Sequence, residues 1–271
     1  MFFINHEYTQ NIFSKGKKLF ITENRNSYLR NLAFKLKSEI IEHKNFIGGR
    51  YSVLSEVGML PAELMGLDSR KFKKFDHLVA NKKFLNSLII NVSNILELIK
   101  KKKFNSVILN YDETTDNFLK WYQQLVAESL GKKGNGIFPI ISNMPKDNHS
   151  LMQLYLDGQK NNFYTFFCTK ERNYLKLNQN TIPESLNFLK KKDLGDIISS
   201  KVLATKKIFK KKRIPFRSIF IKSKSEEALG ELFTYFILET ILLAKALKIN
   251  PYDQPAVELI KIETKKILKS S

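Results

Sequence analysis

The chain has 271 residues, 43% of them hydrophobic and 12% aromatic, which is enough apolar material for one large core or two modest ones and excludes disorder as the overall state. Its 46 lysines and arginines against 26 acidic residues give a formal net charge of +20, a positive field that raises encounter rates with anions such as a phosphorylated metabolite. A single cysteine, Cys168, excludes a disulfide framework, and its setting in NFYTFFCT predicts core packing.

The opening MFFINHEYTQNIFSKGKK lacks the order of charged, apolar and small residues that makes a secretory signal, so a cytoplasmic location is expected. KLFIT at 18–22 reads as a short buried strand. NSYLRNLAFKLKSEIIEH at 26–43 is predicted to be one amphipathic helix opened by Asn26 or Ser27. In NFIGGRYSVLSEVGMLPAELMGLD, Gly48 and Gly49 are expected to permit a tight backbone path before a helix that starts near Arg50. A lysine-rich helical region follows from about 71 to 103.

SVILNY at 106–111 is the next strand, then a helix from about 114 to 130, then a strand at FPIIS, 138–142. HSLMQLYLDG at 149–158 predicts a short helix closed by Gly158, and NFYTFFCT at 162–169 another strand. Residues 170–212 are expected to be loops with one or two helices. RSIFIKS at 217–223 is a last strand, with Ser223 and Glu226 expected to form a capping box for the helix that follows. That helix contains LFTYFILETILLAKAL at 232–247, which carries Glu239 and Lys245. It falls short of the roughly 18 to 20 residues of a membrane span and reads as a buried core helix. Strands alternating with helices predict an α/β fold, a three-layer αβα sandwich with a mostly parallel sheet, whose ligands sit beyond the carboxyl ends of strands.

Candidate chemistry is sparse when each motif is taken alone. Gln124 and Glu128 are four residues apart in WYQQLVAESLGKKGNG and so share a helix face. A lone helical glutamate is normally a solvated charge and needs partners to act as a base. His149 follows a turn marked by Pro145 and Asn148 at the start of a helix, where an imidazole can stay neutral and exchange protons. A plain turn histidine is the bland alternative. In NPYDQPAVELIK, Pro255 suits the first turn of a terminal helix, and Gln254 and Lys261 fall on nearly the same face. The lysine runs IKKKKF at 99–104 and KKIFKKKR at 206–213 have no recognised nucleic-acid motif around them and read as solvated loops and helix ends.

Taken together, GGRYSVLSEVGMLPAELMG, YQQLVAESLGK, NHSLMQLYLDG and NPYDQPAVELIK resemble the motifs of the phosphoglucose isomerase family, in the family's order, and the resemblance extends from Phe20 to Lys266. It implies reversible conversion of glucose 6-phosphate to fructose 6-phosphate through a cis-enediolate, with no metal or organic cofactor. By that resemblance Glu128 is the base that moves a proton between C1 and C2, and Arg50 stabilises the enediolate. His149 and Lys261 form the pair for ring opening, and Gln124 and Gln254 orient the substrate. The family folds as two sugar isomerase domains and forms a homodimer in which the histidine arrives from the neighbouring subunit.

On this resemblance, residues 1–47 are expected to be a remnant of the first sugar isomerase domain, 48–250 the second with its connecting helices, and 251–271 a C-terminal helix completing the site. About the first half of a usual member is then missing, with the serine and threonine-rich loop that binds the substrate phosphate at a helix start. SKSEE at 223–227 resembles that loop superficially. Weak or no activity is therefore expected of the isolated chain. Two other readings remain at this point: a noncatalytic sugar-phosphate-binding protein on the same domain, and a basic nucleic-acid-binding module, which would bind with a steep salt dependence.

Overall fold

The computed structural model describes residues 16, 18–169 and 175–270. Two compact units divide the chain, Met1–Lys73 and Lys74–Ser271. His6 and nearly all of the opening segment lie outside the described residues.

In the first unit, β1 (Leu19–Glu23) and β2 (Glu39–His43) pair in parallel, with Leu19 opposite Glu39 and Glu23 opposite His43. Parallel neighbours need a crossover, and α1 (Tyr28–Lys35) supplies it. Ser27 opens α1 by accepting from the Arg30 backbone N–H at 3.2 Å. The single helix expected over 26–43 is thus a helix and a strand. Lys37 adopts φ 48°, a left-handed conformation that ends the helix. Beyond it the β-branched Ile40 and Ile41 favour the extended chain. A 3₁₀ turn at Gly49–Leu54 leads into α2 (Glu56–Leu64), whose first N–H groups are served by Ser55, and then α3 (Ser69–Phe72).

The second unit begins with α4 (Asp76–Ala80) and α5 (Lys82–Lys100). Next come β3 (Asn105–Asn110), α6 (Asp116–Leu130), β4 (Phe138–Asn143), α7 (Asp147–Ser150) and α8 (Met152–Asp157). The remaining elements are β5 (Asn162–Thr169), α9 (Leu194–Lys211), β6 (Phe216–Ile221), α10 (Glu226–Ala246) and α11 (Pro255–Ser270). The sheet order is β4-β3-β5-β6, and every pairing is parallel.

Both faces of the sheet are covered. On one, Val107, Leu109, Tyr164 and Phe166 pack with Tyr155 of α8 and with Val202 and Phe209 of α9. On the other, Phe118 of α6 stacks on Phe167 at 6.0 Å, and Tyr122 lies 4.3 Å from Phe236 of α10. Central strands with apolar side chains on both faces need a helix layer on each, so the αβα sandwich follows from their composition. Cys168 sits in this core as expected, and burial pushes its thiol above the ordinary value.

The long apolar helix α10 is a core helix, and its one buried acid has partners. Glu239 accepts from both Nη atoms of Arg217 on β6 and from the Asn91 side-chain amide. Arg217 Nε donates to Thr165 Oγ1 at 2.9 Å, so each guanidinium nitrogen has a partner. Burial and the Glu239 charge push the nearby Tyr122 phenol up to about 12. The expected capping box of Ser223 and Glu226 does not form: Ser225 is the N-cap of α10 and accepts from the Ala228 N–H, and an alanine at that third position has no side chain to bond back. No helix of the described residues is long and apolar enough to cross a membrane.

Candidate active site

A helix that follows a parallel strand runs back along it. The Asn110 side chain, at the end of β3, donates to Asp116 at the start of α6 at 2.7 Å. Gln123 Nε2, further along α6, donates to the carbonyl of Pro139 at the beginning of β4, also at 2.7 Å. The last turn of α6 therefore lies beside the amino ends of the strands. Glu128 is in that turn, half-buried, and Gln124 Nε2 donates to its Oε1 at 2.9 Å. The i,i+4 spacing predicted a shared face, and the hydrogen bond fixes one carboxylate oxygen on it.

Lys132, just past the helix, was not singled out by sequence. Its side chain is 10% exposed and pairs with Asp253 Oδ1 at 2.8 Å, and its Nζ also donates to the Asn250 carbonyl. The Lys132 ammonium holds the Asp253 carboxyl below the usual range. This bridge brings the segment leading to Gln254 against the exit of α6. Glu128, Gln124 and Gln254 thus belong to one end of the sheet.

His149 belongs to the other end. It lies in α7, the short helix that follows the carboxyl end of β4, and is exposed. Asp147 shapes the turn, accepting from Ser142 Oγ at 2.9 Å and the Asn143 N–H at 2.7 Å. With β4 six residues long, a rise of about 3.3 Å per residue separates His149 from Glu128 by roughly 20 Å within one chain. Lys261 lies on α11, where its Nζ pairs with Glu258 Oε1 at 2.6 Å and its side chain is 62% exposed. The expectation that the site residues gather beyond the carboxyl ends of strands fits His149 and does not fit Glu128 or Gln254.

Arg50 is in the first unit, 2% exposed, with its guanidinium 5.3 Å from the centre of the Tyr51 ring. Gly48 takes an ordinary φ of −66°, and a Cβ added at Gly48 or Gly49 would meet nothing within 4 Å. The conformational freedom expected of these glycines is not what the backbone uses. What their lack of side chain leaves is open space beside Arg50's own segment.

A further cluster lies beyond the carboxyl ends of β3, β5 and β6. Asp112 accepts from Thr169 Oγ1 at 2.5 Å and Lys224 Nζ at 3.1 Å through one oxygen, and from Thr114 N and Oγ1 through the other. Burial alone would raise this carboxyl, but those donors outweigh it and hold it below the ordinary value. The SKSEE segment that resembled a phosphate loop has its Lys224 engaged with this internal carboxylate.

Sheet, layers and the amide-held glutamate define an α/β protein of the sandwich type with its candidate chemistry divided between the two ends of a parallel sheet. Residues 7–141 match the phosphoglucose isomerase family. The chain belongs to that family. It is 34% identical over 259 residues to a glucose-6-phosphate isomerase of Methanocaldococcus jannaschii, with 93% of this chain and 62% of the relative covered. To the glucose-6-phosphate isomerase of Mycoplasmopsis synoviae it is 32% identical, with 79% of this chain and 52% of the relative covered. The chain therefore spans between half and two thirds of the length of these relatives.

Solved structures agree on the fold. A hypothetical protein from Thermus thermophilus superimposes with a TM-score of 0.82 at 25% identity, covering 92% of this chain and 62% of that one. A glucose-6-phosphate isomerase from Chlamydia trachomatis gives 0.72 at 16% identity, with 97% and 55% covered.

Proposed function

We propose that the chain carries the aldose-ketose isomerase chemistry of its family, interconverting glucose 6-phosphate and fructose 6-phosphate. Glu128 is the base that moves a proton between C1 and C2 by way of a cis-enediolate. The observation that carries this reading is the Gln124–Glu128 hydrogen bond at 2.9 Å, made on a helix end that Lys132 ties to the segment of Gln254. An oriented, half-buried carboxylate held by the Gln124 carboxamide suits a base that must meet a carbon acid beside a carbonyl, and such a positioned base contributes roughly 10² to 10⁴ in rate. Arg50 supplies a permanent positive charge for the enediolate. His149 and Lys261 serve ring opening, one at the hydroxyl proton and the other at the ring oxygen, while Gln124 and Gln254 orient the sugar.

Because His149 and Glu128 sit at opposite ends of one sheet, the reading includes a homodimer in which the histidine of one copy serves the glutamate of the other. The test is conversion of fructose 6-phosphate by wild-type chain and Glu128→Gln. Turnover in the first and a loss of at least about 10² in the second supports the base assignment. Equal turnover in both overturns it, and sugar-phosphate binding without turnover in either favours a noncatalytic binding protein.

A further inference from the structure

His43, the last residue of β2, has both ring nitrogens against hydrogen-bond acceptors. Nδ1 meets the Glu56 carboxylate, and Nε2 lies 2.9 Å from the carbonyl of Ile47. A neutral imidazole has one N–H and can serve only one of them, whereas the imidazolium serves both. Within the same unit Glu23 lies opposite His43 in the strand register, itself paired with Arg25, and Glu42 beside it pairs with Arg30. The Lys44 backbone faces Glu56.

These contacts bracket the segment that carries Arg50. His43 closes the strand before it, Ile47 immediately precedes Gly48, and Glu56 opens α2 after it. Between them the chain is pinned at each step. Tyr51 N–H donates to the Gly48 carbonyl, Ser52 Oγ to that of Gly49 at 2.8 Å, and Ser55 Oγ to that of Ser52 at 2.7 Å. A Cβ on Gly58 would come within 2.0 Å of the Val53 carbonyl oxygen, so α2 lies directly against the turn.

We propose that His43 and Glu56 are positioning residues: their ion pair clamps the 44–55 segment and so sets the place of the Arg50 guanidinium. The catalytic consequence rests on the role given to Arg50 above. Burial pushes the His43 imidazolium down, but the Glu56 hydrogen bond, the Ile47 carbonyl and the charges of Glu56 and Glu23 outweigh it, and the net shift is upward from 6.5. The clamp is complete below that raised value and loosens as pH rises through it, when the one remaining N–H serves either the Glu56 carboxylate or the Ile47 carbonyl and leaves a ring lone pair facing the other. Nothing in the sequence pattern alone marks this pair.

The test compares wild-type chain, Glu56→Ala and Glu56→Gln. In Glu56→Gln the carboxamide donates to Nδ1 of a neutral ring while Nε2 still serves Ile47, so the clamp survives without titrating. The expected result is a wild-type kcat that falls as pH rises through the His43 midpoint measured by ring ¹⁵N NMR. That limb is absent from Glu56→Gln, and kcat in Glu56→Ala is about 10-fold or more lower with KM little changed, since a displaced enediolate partner is felt in the transition state. A lower melting temperature in Glu56→Ala with unchanged kcat and pH profile overturns the positioning role.

A wild-type chain with no turnover at any pH counts against isomerisation by this chain alone, as the weak activity expected of it allows, and leaves the clamp untouched. The clamp is then decided by NMR alone. The Arg50 Nε–H and Gly49 N–H signals are expected to move with the His43 titration in wild type and to stay fixed in Glu56→Gln, and signals indifferent to that titration overturn the proposal.

Discussion

Two successive helices of the second unit, α10 and α11, carry apolar residues along most of their length and yet live in different surroundings. α10 lies against the sheet with Phe236, Leu243 and Ala244 buried, and its Glu239 is 1% exposed inside a bonded network. α11 has no buried residue, with Leu259 and Ile260 67% and 71% exposed, and its ion pairs are between neighbours on one face. A helix apolar on all sides is made by its packing, while one with nothing buried stands on propensity and local pairs. Glu239 on α10 is thus part of the fold, and the exposed charges of α11 are available for chemistry.

The comparison can be broken hardest at Glu239. Glu239→Ala leaves the Arg217 guanidinium buried opposite no carboxylate and takes an acceptor from Asn91, at an expected cost of about 3 to 5 kcal/mol in urea unfolding. Replacing Arg217 and Glu239 together with Met and Leu is expected to recover most of that loss. A single mutant within about 0.5 kcal/mol of wild type would mean that the network is not closed as described.

Next in size is Gly58→Ala in the first unit. The added methyl overlaps backbone at Val53, which has no rotamer to yield, so a loss of about 1 to 3 kcal/mol is expected on thermal unfolding. This sharpens the contrast, because α2 has partly exposed surroundings and still resists change at one close approach.

How far the sequence reached depended on how local each cause is. β3, β5 and β6 were legible as runs of β-branched and aromatic residues, and Gln124 with Glu128 as a helical spacing. β2 was not, since Ile40 and Ile41 continue the apolar rhythm of α1 and the break at Lys37 is a backbone conformation without a glycine to announce it. The hydrogen bond from Lys132 to the Asn250 carbonyl joins residues 118 positions apart, and among so many lysines nothing distinguished that one. Ser223 stands three residues before Glu226 and Ser225 directly before it, and only the chain path selects the cap.

A smaller effect is expected from ending the chain after Gln254, which removes α11. With none of its residues buried, the second unit should unfold within about 1 kcal/mol of the full chain. Under the proposed chemistry the same deletion removes Lys261, so turnover should vanish while the melting curve hardly moves. A large loss of stability would show that α11 belongs to the fold in the way α10 does.

The smallest effect separates Lys261 from its own partner. Glu258 pairs with it three residues earlier on the same exposed face, and such a pair adds only about 0.2 to 0.5 kcal/mol to a helix. Glu258→Gln should therefore leave unfolding nearly unchanged and, if Lys261 serves the sugar ring oxygen, leave kcat within about 2-fold, because the ammonium keeps its charge and its freedom to swing. Lys261→Met removes the charge itself and should depress turnover on the closed ring far more than on an open-chain analogue. Equal losses on both substrates would place Lys261 outside ring opening, and a strong effect of Glu258→Gln would mean that the exposed pair, and not the lysine alone, is the functional unit.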